Sequence, residues 1–566
     1  MPYRSPIADF RFLMDHIVGF DQVAATDRYA EATPDTCDAI LTEAAKLADE
    51  VIAPLQRNGD THPAKLENGI VRTSPGFGDG YKAIAEGGWI GISADGEYGG
   101  MDLPLTLATT VNEMIAGACL SLQLNPLMTQ GQIEALEHHA NDDIKALYLP
   151  KLISGEWCGT MNLTEPQAGS DVGALRSKAE PNGDGSYAIS GQKIYISWAD
   201  NDFTENVCHL VLARLPDGVD GTKGISLFMV PKVIPDENGT LGERNSLRVV
   251  SLEHKMGLHG SPTAVMEYDG AKGWLVGAEH GGMAAMFTMM NNARVGVATQ
   301  GIGVAEAAYQ HALSYAMDRK QGRAGGTGTI VEHADVRRML ASMKADTFAA
   351  RAITMANAVA IDMSTATNDP AWDARAALLT PISKAFGTDV GVEVSATGIQ
   401  VHGGMGFIEE TGAAQYARDV RVTTIYEGTN GIQAMDLVAR KMMDNGDAAF
   451  ALLDEIEAVA EAGKADLPDL VEPVWQACET LRETTEQLIA QDLGDRFAGA
   501  VPYLRAFARV LGGHYHLMAA LKGDAARKRL AAFYIKRLLP EHGALLTHVR
   551  EGADDLMAIT IDDLVA

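Results

Sequence analysis

Basic residues are scarce in this chain of 566 residues. Lysine and arginine together number 46, against 75 aspartates and glutamates, which gives a formal net charge of -29 at neutral pH. Such an excess of negative charge repels phosphate backbones and anionic lipid surfaces wherever it is evenly spread. The composition therefore argues against nucleic acid as a partner, although the acidity can also serve solubility alone.

Cysteines and long apolar runs are also in short supply. The five cysteines are odd in number and never form a Cys-x-x-Cys pair, which argues against a disulfide framework and a zinc site and favours a reducing compartment. The first residues mix polar and apolar side chains, unlike a secretory signal, and no charge-free apolar window is long enough to cross a bilayer. We therefore expect a cytoplasmic protein with no membrane partner and no metal.

The pattern of apolar residues changes along the chain. Helical spacing dominates early, as in Thr36–Ile52, and short alternating runs such as Lys193–Ser197 and Leu247–Leu252 follow after Met161. Helical spacing returns near Gly282 and continues to the last residues. We predict four domains: an N-terminal helical domain (1–158), a middle β-domain (159–280), a C-terminal four-helix bundle (281–440) and a helical C-terminal extension (441–566).

One segment places a carboxylate in a tight turn. In Thr423–Gln433, Glu427 stands beside a glycine, after an apolar run and before a predicted helix. A glutamate in this position is, on its own, more often a solvated surface group or a helix N-terminal acid than a catalyst. Its interpretation therefore depends on the motifs elsewhere in the chain.

Those motifs resemble the acyl-CoA dehydrogenase family. Tyr426-Glu427-Gly428-Thr429 is similar to the family's catalytic segment, and the other motifs occur in the family's order: Met161–Asp171, Tyr195–Ser197, Asn291–Arg294, Tyr315–Arg323 and Gln400–Gly406. The resemblance covers about residues 35–440 and implies an α+β multidomain protein with the acyl-CoA dehydrogenase fold. That fold has an N-terminal α-helical domain, a middle β-barrel and a C-terminal helical bundle, and the extra C-terminal helices resemble a longer branch of the family.

The resemblance also implies FAD as the cofactor. Thr164 would lie along the flavin ring, Ser197 would contact its N5 edge, and Arg319 would reach the FAD pyrophosphate of a neighbouring subunit. Glycine-rich backbone can approach phosphate oxygens closely, as expected of Gly403 and Gly404. The expected cofactor-binding residues are Met161, Leu163, Thr164, Gly169, Ser170, Tyr195, Ser197, Arg319, Gln400, Gly403, Gly404 and Thr429.

Substrate contacts are implied in the same way. Arg294 would hold the CoA end of an acyl-CoA, unless it is a helix arginine paired with a structural carboxylate. Ala293 occupies the helix position at which a few relatives place their base, which favours Glu427 as the base of this chain. The expected substrate-binding residues are Ser170, Asn291, Arg294, Tyr426 and Gly428.

The activity implied is oxidation of an acyl-CoA thioester to its trans-2-enoyl-CoA, with Glu427 removing the α-proton. Electron-transferring flavoprotein is the family's usual acceptor, and a homodimer or homotetramer with FAD near the subunit interface is expected. An acyl-CoA oxidase that uses oxygen is one alternative. A DNA-associated flavoprotein of the alkylation-response branch is another, although acids outnumber bases after Lys441.

The acyl group is left open between two possibilities. The length of the chain, its acidity and the segment Glu253–Pro262 resemble the branch that acts on 3-methylmercaptopropionyl-CoA in bacterial dimethylsulfoniopropionate breakdown. A short- or medium-chain fatty acyl-CoA is the other possibility, since the shape of a substrate pocket cannot be read from spacing.

Overall fold

The structure of the protein, a computed structural model, describes residues 3–323 and 325–566. The chain forms two compact units. The barrel unit comprises Cys37–Gly296, and the helical unit comprises the residues up to Thr36 together with Val297–Ala566. The N-terminal arm thus belongs to the same unit as the later helices, and the division into four domains stays a prediction.

Helices precede the strands of the barrel. The N-terminal arm carries α1 (Ile7–His16) and α2 (Phe20–Ala24), and the following helices are α3 (Pro34–Lys46), α4 (Leu55–Thr61), α5 (Phe77–Glu86), α6 (Leu105–His139) and α7 (Asp142–Ile153). A π-helical turn follows α3, and a short hairpin of β1 (Lys65–Glu67) and β2 (Ile70–Arg72) lies between α4 and α5.

Helix α6 forms the centre of this helical layer. Nearly all of its residues are buried, including polar ones such as Glu113 and Gln123, so the helix is enclosed on every side rather than along one stripe. Non-helical backbone at Cys119 interrupts it, and Pro126 lies within it. Of the helices in the described residues, only this one is long and apolar enough to cross a membrane. However, 94% of its most apolar window is buried inside the protein. Its hydrophobicity is therefore explained by its place in the core.

Seven of the strands after α7 form one sheet that closes into a barrel: β3 (Trp157–Asn162), β4 (Lys178–Pro181), β5 (Tyr187–Ser197), β6 (Asn206–Arg214), β7 (Ile225–Pro231), β10 (Leu247–Leu252) and β11 (Thr263–Val276). Between β7 and β10, β8 (Val233–Pro235) and β9 (Leu241–Arg244) form a separate hairpin. The long β11 pairs with β5 and, near its end, with β7. Since β5 pairs with β4, β4 with β6 and β6 with β7, these pairings form a closed ring. Apolar side chains such as Ile189, Phe228 and Met266 form its core.

After the N-terminal arm, the helical unit resumes with the later part of α8. Its helices are α8 (Gly282–Asp318, from Val297 on), α9 (Ala334–Thr367), α10 (Pro370–His402), α11 (Ala413–Val420), α12 (Asn430–Ala439), α13 (Asp447–Gly463), α14 (Pro468–Ala490), α15 (Leu493–Ala498), α16 (Ala500–Lys522), α17 (Ala525–Arg537), α18 (Glu541–Glu551), α19 (Asp554–Ala558) and α20 (Ile561–Val565).

Buried arginine pairs join the C-terminal extension to the bundle. Arg509 on α16 is 3% exposed, and it pairs with Asp346 on α9 and with Glu541 on α18. Arg505, one turn earlier, donates to Glu393 on α10 at 2.6 Å. The Arg505 pair is partly exposed and contributes less, whereas removing a partner of buried Arg509 would leave an uncompensated charge, so Arg509 above all holds the extension against the bundle.

Close backbone contact fixes α10 against α8. At Gly391 on α10, an added Cβ would lie 2.8 Å from the carbonyl oxygen of Gly301 on α8. That distance leaves no room for a side chain, because the obstacle is backbone and cannot move aside.

We therefore expect Gly391→Val to lower the free energy of unfolding by about 1–3 kcal/mol. Ala396→Val on the exposed side of α10 is the control, because it adds the same β-branched side chain without the collision. Urea denaturation measures both variants, and equal stability of the two would contradict the close contact.

Candidate active site

Glu427 lies in a turn whose backbone is left-handed at two successive residues. Its φ is +55°, and that of Gly428 is +83°. A glutamate rarely adopts this region because its Cβ crowds the following backbone, whereas glycine enters it freely. Strained residues of this kind persist where surrounding contacts hold them, and they concentrate at functional sites.

A buried lysine donates hydrogen bonds to the turn that contains Glu427. Lys384 on α10 is fully buried, and its Nζ donates to the backbone oxygen of Gly428 and to Oδ1 of Asn430, both at 2.9 Å. Asn430 in turn donates to Asp389 at 2.7 Å. The first residue of α12 and the turn before it are therefore tied to α10.

Further hydrogen bonds hold the two sides of the turn. The amide of buried Gln433 donates to the backbone oxygen of Glu427 at 3.0 Å, and the phenol of Tyr426 donates to Gln300 on α8. Burial, together with the nearby charge of Glu427, raises the pKa of Tyr426 well above its ordinary value, so the phenol keeps its proton. Thr429 caps α12 by accepting from the backbone N–H of Ile432.

In the barrel unit, a buried ion pair shapes the segment after β3. Glu165 and Lys193 are 4% and 0% exposed and lie 2.8 Å apart. Glu165 also accepts from the backbone N–H groups of Arg176 and Ser177, and Lys193 donates to the backbone oxygen of Leu163 at 3.0 Å. Burial by itself raises the pKa of Glu165, but Lys193 and these donors outweigh it and lower that pKa to about 2.

The pair brings two predicted motifs together. Ile194 of β5 donates its N–H to the backbone oxygen of Thr164, so the segment containing Leu163 and Thr164 runs beside β5. Both of these residues are half-buried, while Gly169 and Ser170 are exposed. An added Cβ at Gly169 would meet no atom within 4 Å, so its backbone faces open space.

Tyr195 and Ser197 occupy an irregular part of β5. The pairing with β11 shifts register between Ile196 and Lys193, and Tyr195 has a φ of +61°. This irregularity turns the Tyr195 side chain outward, where it is 62% exposed. Trp198 anchors the strand end, because its indole N–H donates to the backbone oxygen of Ser121 at 3.1 Å.

In the helical unit, the glycine-rich loop adjoins the end of α8. His402 stacks on Tyr315 with ring centroids 4.5 Å apart, and its Nδ1 lies 2.7 Å from the backbone oxygen of Gly398. Gly403, with φ of +60°, and Gly404 have no atom within 4 Å of an added Cβ. Arg319, the residue after the end of α8, and Gln400 are exposed.

The predicted CoA-facing residues lie in the barrel-unit part of α8. Arg294 is 5% exposed, and its Nη1 donates to Oδ1 of exposed Asn291 at 3.2 Å. Ala293 is fully buried. Glu134 on α6 lies beside this stretch; burial raises its pKa to about 7, although a hydrogen bond from Asn292 and nearby His138 act in the opposite direction.

These features suit a flat, polar, anionic cofactor. Exposed Tyr195 offers an aromatic face, the open backbone at Gly169 and Gly403 can approach phosphate oxygens, and Arg319 is an available cation. The residues predicted from sequence for FAD therefore fit such a group within each unit. Among the residues that the structure describes, no cluster of three or more histidine, cysteine or acidic side chains could hold a metal.

Models of one protein family match this chain over most of its length. They are acyl-CoA dehydrogenase, N-terminal domain (34–156), middle domain (160–271) and C-terminal domain (280–443), followed by acetyl-CoA dehydrogenase C-terminal like (452–560). The chain belongs to the acyl-CoA dehydrogenase family. The predicted fold, with its β-barrel and extra C-terminal helical domain, is thereby confirmed.

Two relatives are similar over most of this acyl-CoA dehydrogenase. A 3-methylmercaptopropionyl-CoA dehydrogenase of Ruegeria pomeroyi is 41% identical, covering 99% of this chain and 100% of the relative. A butyryl-CoA dehydrogenase of Syntrophomonas wolfei is 34% identical, covering 83% and 85%. The predicted enzyme class is therefore confirmed, and the acyl group is not decided.

Two solved structures share the fold. Caenorhabditis elegans ACDH-11 in complex with C11-CoA has a TM-score of 0.79 at 21% identity, covering 94% of this chain and 91% of that one. A Bacillus anthracis acyl-CoA dehydrogenase complexed with FAD has a TM-score of 0.73 at 19% identity, covering 99% and 95%. Members of the family bind FAD, which agrees with the predicted cofactor.

Sequence reasoning missed the residues that support the site. Lys384, Gln433 and Gln300 carry no recognisable motif, and Glu165 and Lys193 looked like ordinary members of a turn and a strand. A lysine within the apolar stretch Leu378–Gly398 was the available signal, because a lysine is almost never fully buried without a partner.

If Glu427 is the predicted base, Lys384→Met should displace it, so we expect kcat to fall by about 10²-fold while FAD binding and KM change little. Lys464→Met, at an exposed surface ion pair, is the control. Steady-state kinetics with the FAD-loaded enzyme measures both, and an unchanged kcat in Lys384→Met would contradict the positioning role.

A second expectation concerns Glu165. Its folded pKa of about 2 lies below its ordinary value of 4.5, so its stabilising effect is complete above pH 4.5 and is lost as the pH falls through 2. Glu165→Gln should lower the free energy of unfolding by about 3 kcal/mol at pH 7, and the difference from wild type should shrink below pH 4.5.

Urea denaturation at a series of pH values tests this dependence. Glu180→Gln, at an exposed carboxylate of β4, serves as the control and should match wild type throughout. A stability difference for Glu165→Gln that stayed constant down to pH 2 would show that the ion pair is not its source.

Proposed function

We propose that this enzyme oxidises an acyl-CoA thioester to the trans-2-enoyl-CoA, with Glu427 as the base that removes the α-proton. The observation that carries the proposal is the turn itself. A glutamate is held in left-handed backbone by Lys384 and Gln433 in a chain whose family performs this reaction. A residue held against its own backbone preference in this way is typical of functional sites.

The chemistry demands such positioning. The α-C–H of a free thioester is far too weak an acid for a carboxylate at neutral pH, so negative charge on the carbonyl oxygen must be stabilised as the proton leaves. We infer that the backbone N–H of Glu427 contributes one hydrogen bond to that oxygen, an interaction worth about 3–4 kcal/mol. The fixed backbone of the turn would keep this donor in place before the substrate arrives.

The cofactor-binding residues remain those predicted from the sequence. We propose that the backbone of residues 161–170 and β5 contact the flavin, and that Arg319 and the loop at Gly403 contact the adenosine diphosphate of a partner subunit's FAD. When bound, FAD supplies the two-electron acceptor that this reaction requires. Buried Glu165 and Lys193 would hold the flavin-facing backbone rigid, because their ion pair ties the segment after β3 to β5.

Replacing Glu427 tests the base directly. Glu427→Gln keeps the size of the side chain but cannot accept the proton, so we expect turnover to fall by at least about 10³-fold. FAD content and the binding constant for the acyl-CoA should change little. Glu483→Gln, at an exposed residue of α14, is the control, and wild-type turnover in Glu427→Gln would refute the assignment.

For the acyl group, we propose 3-methylmercaptopropionyl-CoA, with a short or medium fatty acyl-CoA as the alternative. The Ruegeria pomeroyi relative named for the sulfur substrate aligns over 99% of this chain, against 83% for the butyryl-CoA dehydrogenase. Identity at this level supports the family more strongly than the substrate.

Comparison of kcat/KM for 3-methylmercaptopropionyl-CoA, butyryl-CoA and octanoyl-CoA decides between them. We expect the sulfur substrate to be preferred over octanoyl-CoA by about tenfold or more, because a pocket for a short chain cannot bury the extra methylenes. A preference for octanoyl-CoA would refute the proposal.

The electron acceptor is proposed to be electron-transferring flavoprotein rather than oxygen. The oxidase alternative predicts stoichiometric peroxide in air, while the dehydrogenase predicts reduction of the flavoprotein or of an artificial dye without peroxide. Measuring both products in one assay separates the two functions.

A further inference from the structure

The helical unit contains a basic groove. We call it the α9/α17 groove; its volume is about 1020 Å³, at the upper end of the range of ordinary small-molecule pockets. Its walls are the first turns of α9, the length of α17 and one residue of α1. The groove carries six cationic and three acidic side chains: Arg337, Arg338, Lys344, Arg527, Arg529 and Arg537, with Asp9, Asp335 and Asp524.

Two of the cations are already neutralised within the unit. Arg527 pairs with Asp9 at 2.5 Å, and Arg338 pairs with Asp335 at 2.8 Å. By contrast, Arg337 donates to the backbone oxygen of Val331, and the guanidinium of exposed Arg537 lies over the ring of Phe533. The groove therefore presents net positive charge beside an apolar floor that includes Leu530 and Phe533, on a protein whose overall charge is -29.

Residues 553–565 have the opposite character. This acidic segment contains α19 and α20 and carries four aspartates and no basic residue. Its apolar side chains are exposed by between 51% and 81%: Leu556, Met557, Ile559, Ile561, Leu564 and Val565. Six large apolar side chains exposed within ten residues exceed the single exposed hydrophobic residues that are normal on a surface, and such a patch is typical of an interaction site.

The segment has the spacing of a helix that docks into a groove. Ile561, Leu564 and Val565 lie at positions i, i+3 and i+4 of α20 and so share one face, while Asp562 and Asp563 lie between them. Thr560 and Asp563 close a capping box, so this short helix is already formed before docking.

We propose that the α9/α17 groove of one subunit binds the acidic segment of a second copy of this chain. The apolar face of α20 would cover Leu530 and Phe533, and its aspartates would meet Arg337 and Arg537. Charge complementarity favours this groove as the docking site, because most of the surface of this acidic chain would repel the acidic segment.

The segment's own attachment favours a second copy over the same chain. Ala553 donates its N–H to Asp495 at the start of α15, which fixes the base of the segment there. Within the described residues, none of the groove-lining side chains comes from the segment of the same chain. The docking would thus add a reciprocal contact to a homo-oligomer.

Site-directed crosslinking tests the contact in the full-length, FAD-loaded enzyme. All five native cysteines are buried, so introduced cysteines would be the accessible ones. Two differently tagged copies, one with Ala341→Cys in the groove and the other with Leu564→Cys in the segment, are co-expressed and then oxidised. We expect a crosslinked heterodimer at about ten times or more the yield given by Ala462→Cys, an exposed position on α13.

Charge reversal provides the second measurement. Arg337→Glu with Arg537→Glu in the groove should abolish the crosslink, and Asp562→Lys in the segment, which leaves the capping box of Thr560 and Asp563 intact, should restore it at least in part in the reversed groove. Crosslinking equal to the Ala462→Cys control would overturn the proposal, as would a crosslink formed only within one chain carrying both cysteines. Retention of labelled duplex DNA by the wild-type groove, lost on charge reversal, would also overturn it.

Discussion

A buried ammonium group holds the turn on which the proposed chemistry depends. Lys384 lies inside the bundle on α10 and donates to the backbone of Gly428 and to Asn430, the first residue of α12. Without a partner, a lysine at this depth would lose its charge or destabilise the fold. Its location therefore requires the turn to present its carbonyl inward, and Glu427 consequently occupies a backbone conformation that it would not adopt by itself.

The same use of scarce cations recurs throughout the chain. Lysine and arginine are few, yet several are buried at structurally decisive points, including Lys193 beside the segment that follows β3 and Arg509 between the extension and the bundle. Each is satisfied by carboxylates or backbone oxygens, so it confers orientation more than stability. An acidic surface with cationic anchors inside explains how a chain of this charge specifies one arrangement of its helices.

The sequence was most informative where a pattern is local. Helical spacing and short alternating runs predicted the order of helical and β segments, and the motif around Glu427 identified the family. The closed ring of strands could not be read in detail, because the turn inside β5 and the long β11 depend on pairing partners distant in sequence. Lys384, Gln433 and Glu134 escaped notice for a similar reason, since their importance arises from burial beside residues far away in the chain.

Exchange of the α-proton is the most direct test of the central proposal, that Glu427 is the base. Butyryl-CoA incubated anaerobically with the enzyme in heavy water and recovered for mass spectrometry reports removal of that proton separately from turnover. The wild-type enzyme should incorporate deuterium at the α-carbon, and Glu427→Gln, with FAD and substrate still bound, should not. Equal incorporation by the two proteins would show that another group is the base.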